Sequence, residues 1–283
     1  APGSDDFCGG ALSAFKVCES GILTVNAQSG VEVGTEIYAR YAKQYEVPLM
    51  VAVNQLDHEK ASWEHTLETL KETFGKRIIQ LQIPVDVGVN YKGAVDVLTM
   101  KFYDEKGAEH EIPAQFVSEA EALREELIEK AAEGDDALME KFFETMELSD
   151  DEIRKGITAG MLKGETMPVF CISAKNNIGV KRLMEFIVNV APKPACDAAA
   201  PTSLFIFKTE VESHLGEVSY FKVMSGVLNE GADLSNPETG NSERLSAIYA
   251  VAGSKKEKVA KVNAGDIACV MKLKNGKSNV TLA

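Results

Sequence analysis

Leu49-Met50-Val51-Ala52-Val53-Asn54-Gln55-Leu56-Asp57 sets the architecture of the first part of this chain. Five consecutive apolar residues followed at once by polar ones predict a strand that is buried on both faces and ends in a polar loop. Ile22-Leu23-Thr24-Val25 and the stretch 167–172 are similar runs, and helical patterns follow the three runs near 34–45, 61–74 and 180–190. Such alternation predicts a doubly wound α/β domain with a parallel sheet.

An insertion of roughly 80 residues, about 84–165, separates the second of these strand and helix units from the third. Because it is longer than a crossover needs, we expect a subdomain. Ser118 with Glu121, and Ser149 with Glu152, have the S-x-x-E spacing of a helix start. Apolar side chains also recur at helical spacing, at Leu123, Leu127, Ala131, Leu138, Phe142 and Met146. The insertion is therefore predicted to be mostly helical.

The pattern changes after residue 194. Small residues and prolines without periodicity predict an interdomain linker over 195–202. Beyond it, short β-prone runs at 203–210, 218–225, 244–249 and 267–273 are separated by glycines. This spacing predicts a small β-barrel over 203–283, preceded by an α/β domain over 1–194.

The acidic side chains are concentrated in the insertion. The formal net charge is −13, and residues 104–165 contain 19 Asp and Glu against 7 Lys and Arg. This balance argues against a general binder of polyanions. A solvated helical face is the ordinary interpretation of such a run, and a docking surface for a basic partner is the alternative. The best basic patch is Lys255-Lys256-Glu257-Lys258 with Lys261, in the predicted β-barrel.

Cysteine usage and hydropathy exclude several classes of protein. The five cysteines are odd in number, widely spaced and without a CxxC pair, which predicts neither a disulfide framework nor a zinc site. No run of about 18 apolar residues and no leader-like start is present. We therefore expect a cytoplasmic protein without a membrane partner.

Two polar motifs follow predicted strands directly. Asn54-Gln55-Leu56-Asp57 follows one, and Ser173-Ala174-Lys175 follows another. Because the carboxyl ends of parallel strands meet at one edge of a sheet, both motifs are expected to contact one small molecule. An aspartate there can accept two hydrogen bonds from guanine, an asparagine can tie the loops together, and a backbone amide can donate to the carbonyl of the base. The pattern predicts a guanine site.

These motifs, with Asp6-Phe7, the segment 30–36 and Ala264-Gly265-Asp266, stand in the order found in translational GTPases. The chain resembles the elongation factor G branch of that family, because residues 91–101 resemble the start of the extra subdomain that this branch carries inside its GTPase domain. The resemblance implies a P-loop-GTPase-like fold followed by a translation-factor β-barrel. It also implies a monomer that binds GTP or GDP and the ribosome and promotes translocation.

The resemblance assigns roles to individual residues. It implies a nucleotide-binding set at Asn54, Gln55, Asp57, Ser173, Ala174 and Lys175, and a switch segment at Pro2 and Gly3. Ser4 stands where the family has a catalytic histidine, and Gln55 stands where it has a lysine. Serine cannot become an imidazolium, so we expect GTP hydrolysis to be weak or lost. An enzyme that cycles by hydrolysis and a factor that works by occupancy both remain open.

No G-x-x-x-x-G-K-[ST] phosphate loop occurs in the 283 residues. We therefore expect them to belong to a longer protein, in which GTP or GDP with Mg²⁺ is bound, and we expect no metal ligand within the chain itself. The expected ribosomal contacts are RNA through the β-barrel and a basic ribosomal protein through the acidic insertion. A ribosomal-protection or release-type factor, and a ribosome-docking scaffold that binds no nucleotide, are the alternatives.

Overall fold

The computed structural model describes Gly3, residues 5–274 and residues 276–283. Two compact units make up this part of the chain. One contains the residues up to Ala11 together with Cys18–Pro192, and the other contains Leu12–Val17 together with Lys193–Ala283. Within these described ranges, no helix has the length and apolar character that a membrane crossing requires.

The α/β part alternates strands and helices. Its strands are β1 (Gly21–Asn26), β2 (Leu49–Asn54), β3 (Ile78–Gln80), β4 (Gln82–Val85), β5 (Gly93–Asp96), β6 (Lys101–Asp104), β7 (Glu109–His110) and β8 (Met167–Cys171). The helices are α1 (Cys8–Phe15), α2 (Val33–Gln44), α3 (Trp63–Phe74), α4 (Val117–Glu133), α5 (Asp136–Thr145), α6 (Asp150–Leu162) and α7 (Val180–Asn189). Short 3₁₀ turns cover Asp5–Phe7, Gly75–Arg77 and Ala114–Phe116.

A four-stranded parallel sheet with the order β1-β2-β8-β3 forms the centre of this part. Met50, Val51, Ala52 and Val53 are at most 1% exposed, so β2 is covered on both faces. Burial of this kind explains why the strand has no polar alternation in the sequence. The prediction of a parallel α/β sheet is confirmed.

The insertion shares its core with the parallel sheet. Leu127 of α4 and Ile153 of α6 belong to the same buried apolar cluster as Met50 and Phe170 of the sheet. The insertion also contains an antiparallel sheet, of order β4-β5-β6-β7, which the sequence pattern did not predict. Its strands are at most four residues long, and such short runs give almost no periodic signal.

One of the two predicted helix starts in the insertion is observed and the other is wrong. Ser149 and Glu152 form a capping box at the start of α6. A hydrogen bond from Lys141, together with those from Ser149, lowers the pKa of Glu152 to about 2. Ser118 does not cap α4, because the 3₁₀ turn at Ala114–Phe116 runs directly into a helix that begins at Val117. Ser118 therefore lies inside the first turn.

The second unit is an antiparallel β domain, as predicted. Its strands are β9 (Ser203–Glu212), β10 (Gly216–Ser225), β11 (Val227–Asn229), β12 (Ala232–Ser235), β13 (Ser242–Leu245), β14 (Ile248–Ala252), β15 (Lys255–Val259), β16 (Lys261–Asn263), β17 (Ile267–Met271) and β18 (Val280–Leu282). The largest sheet has the order β15-β14-β17-β10-β9-β18. The single run predicted over 244–249 is divided between β13 and β14. Apolar side chains from β9, β10 and β17 lie in one core cluster.

Ion pairs partly neutralise the predicted basic patch. The lysines of β15 lie on the edge strand of the largest sheet, where charged side chains discourage pairing with other chains. Lys256 Nζ lies 2.7 Å from Glu212 Oε1, and Lys258 Nζ lies 2.7 Å from Glu230 Oε1. Among the residues that the structure describes, Lys255 and Lys261 make no ion pair. The patch therefore offers fewer free charges than the sequence indicates.

Candidate functional site

The structure brings the two predicted base-binding motifs together at the carboxyl ends of β2 and β8. The Ala174 amide donates to Asn54 Oδ1 at 2.9 Å. Asn176 Nδ2 donates to Asp57 Oδ2 at 2.7 Å. Two hydrogen bonds therefore join the loop after β2 to the loop after β8. One of them involves Asn54, and joining the loops is the role that the sequence suggested for an asparagine at this position.

The loop after β8 is held in a tight hairpin. The amides of Ser173 and Ile178 each donate to the carbonyl of the other at 3.0 Å. Ser173 is 1% exposed, and its Oγ accepts from the Asn176 amide at 3.3 Å. Gly179 follows with φ of +75°, and a Cβ there would lie 2.2 Å from the Cys171 carbonyl oxygen. The turn into α7 therefore requires glycine.

The tied loops leave specific polar groups available to a ligand. Within the described residues, the Lys175 backbone N–H and its ammonium have no hydrogen-bond partner, and neither has Asp57 Oδ1. The Ala174 N–H is engaged by Asn54, so Lys175 supplies the free amide donor on this loop. The site thus offers a carboxylate acceptor on one side and an N–H donor on the other.

Gln55 has a contact that its position in the motif did not indicate. Its backbone is left-handed, with φ of +66°. Its Oε1 accepts from Gln28 Nε2 at 2.9 Å, with the amide orientations assigned from this contact. Gln28 lies in the loop after β1, so a third loop joins the first two. A lysine at position 55 has no acceptor and cannot make this hydrogen bond.

The first residues of the insertion form hydrogen bonds next to both loops of the candidate site. The Gly88 amide donates to the Leu56 carbonyl at 2.8 Å, and Tyr91 Oη donates to the Cys171 carbonyl at 3.1 Å. Tyr91 is 4% exposed. Burial, then the neighbouring Cys171 and Asp57, raise the pKa of Tyr91, so its hydroxyl remains a donor. The insertion is thereby linked to the candidate site.

Sequence reasoning missed Asn176, Gln28, Tyr91 and Gly88. Asn176 follows Ser173-Ala174-Lys175 directly, so its position in the motif loop was a usable signal. Gln28 and Tyr91 lie 27 residues before Gln55 and 80 before Cys171. No local pattern marks such distant contacts.

The predicted switch and catalytic residues are only partly within the described residues. Pro2 and Ser4 lie outside them. The carbonyl oxygen of Gly3 lies 3.2 Å from the position that a Cβ on Gly34 would take, near the start of α2. In the described part of the chain, no group of three or more His, Cys, Asp or Glu side chains is arranged to hold a metal ion.

Two family models match the two parts of the chain. Residues 1–193 match the family model described as the elongation factor Tu GTP binding domain. Residues 201–282 match the one described as elongation factor G domain 2. The two matched regions leave residues 194–200 between them.

Curated relatives and a solved structure extend the similarity along the chain. Elongation factor G of Ureaplasma urealyticum serovar 10 is 30% identical over 305 residues, covering 99% of this chain and 44% of the relative. Elongation factor G of Thermotoga neapolitana is 31% identical over 306 residues, with the same coverage. A crystal structure of a protein from Thermus thermophilus aligns with a TM-score of 0.90 at 29% identity, over 100% of this chain and 43% of that one.

The chain therefore spans less than half the length of the curated relatives that it matches. The matched regions together run from the first residue to residue 282, across the α/β part and the antiparallel β part. The first of them contains the motifs at 54–57 and 173–175, on which the resemblance to translational GTPases was based. The chain belongs to the translational GTPase family of elongation factors Tu and G.

Proposed function

We propose that the protein acts as an elongation factor G-like translation factor in the cytoplasm, where it binds guanine nucleotide and the ribosome and promotes movement of tRNA and mRNA. One observation carries the proposal. The Asp57 carboxylate and the free Lys175 amide lie on two loops that hydrogen bonds tie together. This acceptor and donor pair matches the polar edge of guanine.

Guanine presents two N–H donors beside one carbonyl acceptor. The donors pair with the Asp57 carboxylate, and the carbonyl accepts from the Lys175 amide. Adenine offers neither group in that place, and each buried polar group left unpaired costs roughly 1–3 kcal/mol. The phosphates and Mg²⁺ of GTP or GDP require further residues, because the base loops supply recognition of the base alone.

Gln55→Lys is expected to raise the affinity for GDP several-fold in the protein at its full natural length. A lysine stem can cover the base and its charge attracts the nucleotide, although a lysine cannot accept the hydrogen bond from Gln28 Nε2. Fluorescence titration with GDP and ADP measures the change, and Gln44→Lys, at the exposed end of α2, controls for added charge. Equal GDP affinities for the wild type and Gln55→Lys would show that residue 55 does not influence nucleotide binding. Equal affinities of the wild type for GDP and ADP would contradict the proposal of a guanine-specific site.

Ser4→His is expected to increase ribosome-stimulated release of inorganic phosphate by about 100-fold. An imidazole can position the attacking water and carry a proton, and such catalysis typically contributes about 10²–10⁴-fold. Phosphate release and translocation are to be measured in the same reactions. Translocation by the wild type without phosphate release supports action by occupancy. Rapid hydrolysis by the wild type contradicts the proposal of weak activity.

The acidic insertion carries a surface that suits a basic ribosomal protein. Phe143 and Met146 lie one helical turn apart near the end of α5 and are 75% and 67% exposed. Glu140, Glu144 and Glu147 flank them. Exposed apolar side chains among acidic ones favour a basic partner with an apolar centre. On the β domain, Lys255 and Lys261 remain available for ribosomal RNA.

A further inference from the structure

A cavity of about 770 Å³ opens at the amino ends of the parallel strands. Leu49 at the start of β2 and Met167 at the start of β8 line it, and so does Arg77, which directly precedes β3. The base-binding loops follow the carboxyl ends of the same strands. Because parallel strands all run in one direction, the cavity and the base site lie at opposite edges of the sheet. This cavity is therefore distinct from the candidate base site.

The cavity is cationic, although the chain has a net charge of −13. Lys43, Arg77 and Lys163 line it, and Glu46 is the one acidic residue in the lining. In the described part of the chain, none of the three cations takes part in an ion pair. A concave surface that gathers unpaired charges of one sign raises the local concentration of oppositely charged ligands.

The three cations lie at or just beyond the carboxyl ends of α2, α3 and α6, where positive charge also stabilises a helix. Backbone amides beyond α2 and α6 already cap one carbonyl near the end of each helix. The Val47 amide caps the Ala42 carbonyl at 2.8 Å, and the Glu165 amide caps the Gly160 carbonyl at 2.9 Å. Among the described residues, neither lysine ammonium donates a hydrogen bond to a helix carbonyl.

Arg77 is oriented by its own contacts. Its Nε donates to the Phe74 carbonyl at 3.3 Å, and its guanidinium lies 5.6 Å from the centre of the Phe74 ring. These contacts leave the two terminal nitrogens free. A guanidinium held in this way presents a planar fork that matches two oxygens of a phosphate group.

A hydroxyl on the wall of the cavity also lacks a protein partner among the described residues. Thr166 is 2% exposed and lines the cavity. Its hydroxyl makes no hydrogen bond to any residue that the structure describes. The oxygen is open to solvent, because Thr209 Oγ1 is the one fully buried side-chain nitrogen or oxygen without a partner among the described residues. It is therefore accessible to a ligand in the cavity. The lining also contains Val47, Pro48 and Met161, which can pack against a less polar part of a ligand.

We propose that this cavity is a binding site for a small molecule that carries a phosphate or pyrophosphate group. Arg77 binds two of its oxygens, Lys43 and Lys163 compensate its charge, and Thr166 donates a hydrogen bond. The volume falls within the range of about 300–1,000 Å³ that is typical of small-molecule sites. The site is independent of guanine recognition.

Titration of the protein with inorganic pyrophosphate tests the proposal, with NMR of ¹³C-methyl methionine as the readout. The methyl signals of Met161 and Met167, which line the cavity, are expected to shift, and that of the exposed Met184 on α7 is not. Arg77→Gln is expected to weaken binding about tenfold, since a charge-assisted hydrogen bond is lost. Lys76→Gln removes a neighbouring exposed charge outside the cavity and is the matched control.

Three results would overturn the proposal. The first is that pyrophosphate shifts no methyl signal of the cavity at millimolar concentration. The second is that Arg77→Gln and Lys76→Gln weaken binding equally, which would indicate only general surface charge. The third is that Arg77→Gln lowers the melting temperature and leaves pyrophosphate affinity unchanged, which would assign Arg77 to helix stability alone. Circular dichroism of each variant verifies that the fold is retained.

Discussion

Asp57→Asn is expected to reverse the preference of the protein from guanine to xanthine nucleotides. The asparagine amide presents a donor where the carboxylate had only acceptors, so it repels the 2-amino group of guanine and pairs with the 2-carbonyl of xanthine. Hydrogen bonds to charged groups contribute about 1.5–3 kcal/mol each. We therefore expect GDP affinity to fall about 100-fold, while the xanthine nucleotide binds more tightly than it does to the wild type.

The substitution should leave the two loops joined. The side-chain carbonyl of asparagine can still accept from Asn176 Nδ2, which donates to Asp57 in the wild type. Titration with GDP and XDP at full natural length measures the change. Asp86→Asn is the control, because Asp86 pairs with Lys92 at 2.7 Å rather than with a base. An equal loss of affinity for both nucleotides would show that Asp57 supports the loops and does not recognise the base.

Asp96→Ala is expected to destabilise the α/β part by about 3–5 kcal/mol, the range found when one partner of a buried ion pair is removed. Asp96 is 2% exposed. Its Oδ2 accepts from Arg182 Nη2 and from Gln82 Nε2, each at 3.2 Å. Its Oδ1 accepts from the Thr99 amide at 3.0 Å. Alanine would leave Arg182 Nη2 and the side-chain amide of Gln82 without their acceptor inside the protein, although Arg182 Nη1 keeps its ion pair with Glu185.

Urea unfolding followed by circular dichroism measures this loss. Asp151→Ala is the matched control, because its exposed carboxylate pairs with Arg154 at 2.9 Å and is expected to contribute at most about 1 kcal/mol. Arg182→Met combined with Asp96→Ala should recover part of the stability, since no unpaired charge then remains buried. A loss from Asp96→Ala no larger than that from Asp151→Ala would show that water reaches the pair.

Asp96 and Arg182 also show why the sequence did not predict the polar contacts of the insertion. They are separated by 86 residues, and they join β5 to α7. A sequence window detects apolar periodicity along one helix or strand. It does not detect which polar side chains meet after the chain has folded. The pairing of Asp96 with Arg182 was missed for this reason, whereas the small antiparallel sheet was missed because its strands are at most four residues long.

For the candidate site, the sequence indicated which residues to consider, but it did not indicate their hydrogen-bond partners. Asn54 and Asp57 stand out because polar residues immediately follow an apolar strand, and the rules for parallel sheets place them beside Ser173. The engagement of the Ala174 amide by Asn54 leaves Lys175 as the free donor. That distinction depends on a contact of 2.9 Å between two loops, which only coordinates supply.

The alternation of β1, β2 and β8 with helices, the guanine motif and the concentration of acid in the insertion follow from the sequence, because each is a local property of neighbouring residues. Tertiary structure alone placed Tyr91 behind Cys171, gave Gln55 its partner Gln28, and neutralised Lys256 and Lys258 with distant glutamates. These contacts join residues far apart in the chain. Their energies depend on distance and burial, and the folded chain sets both.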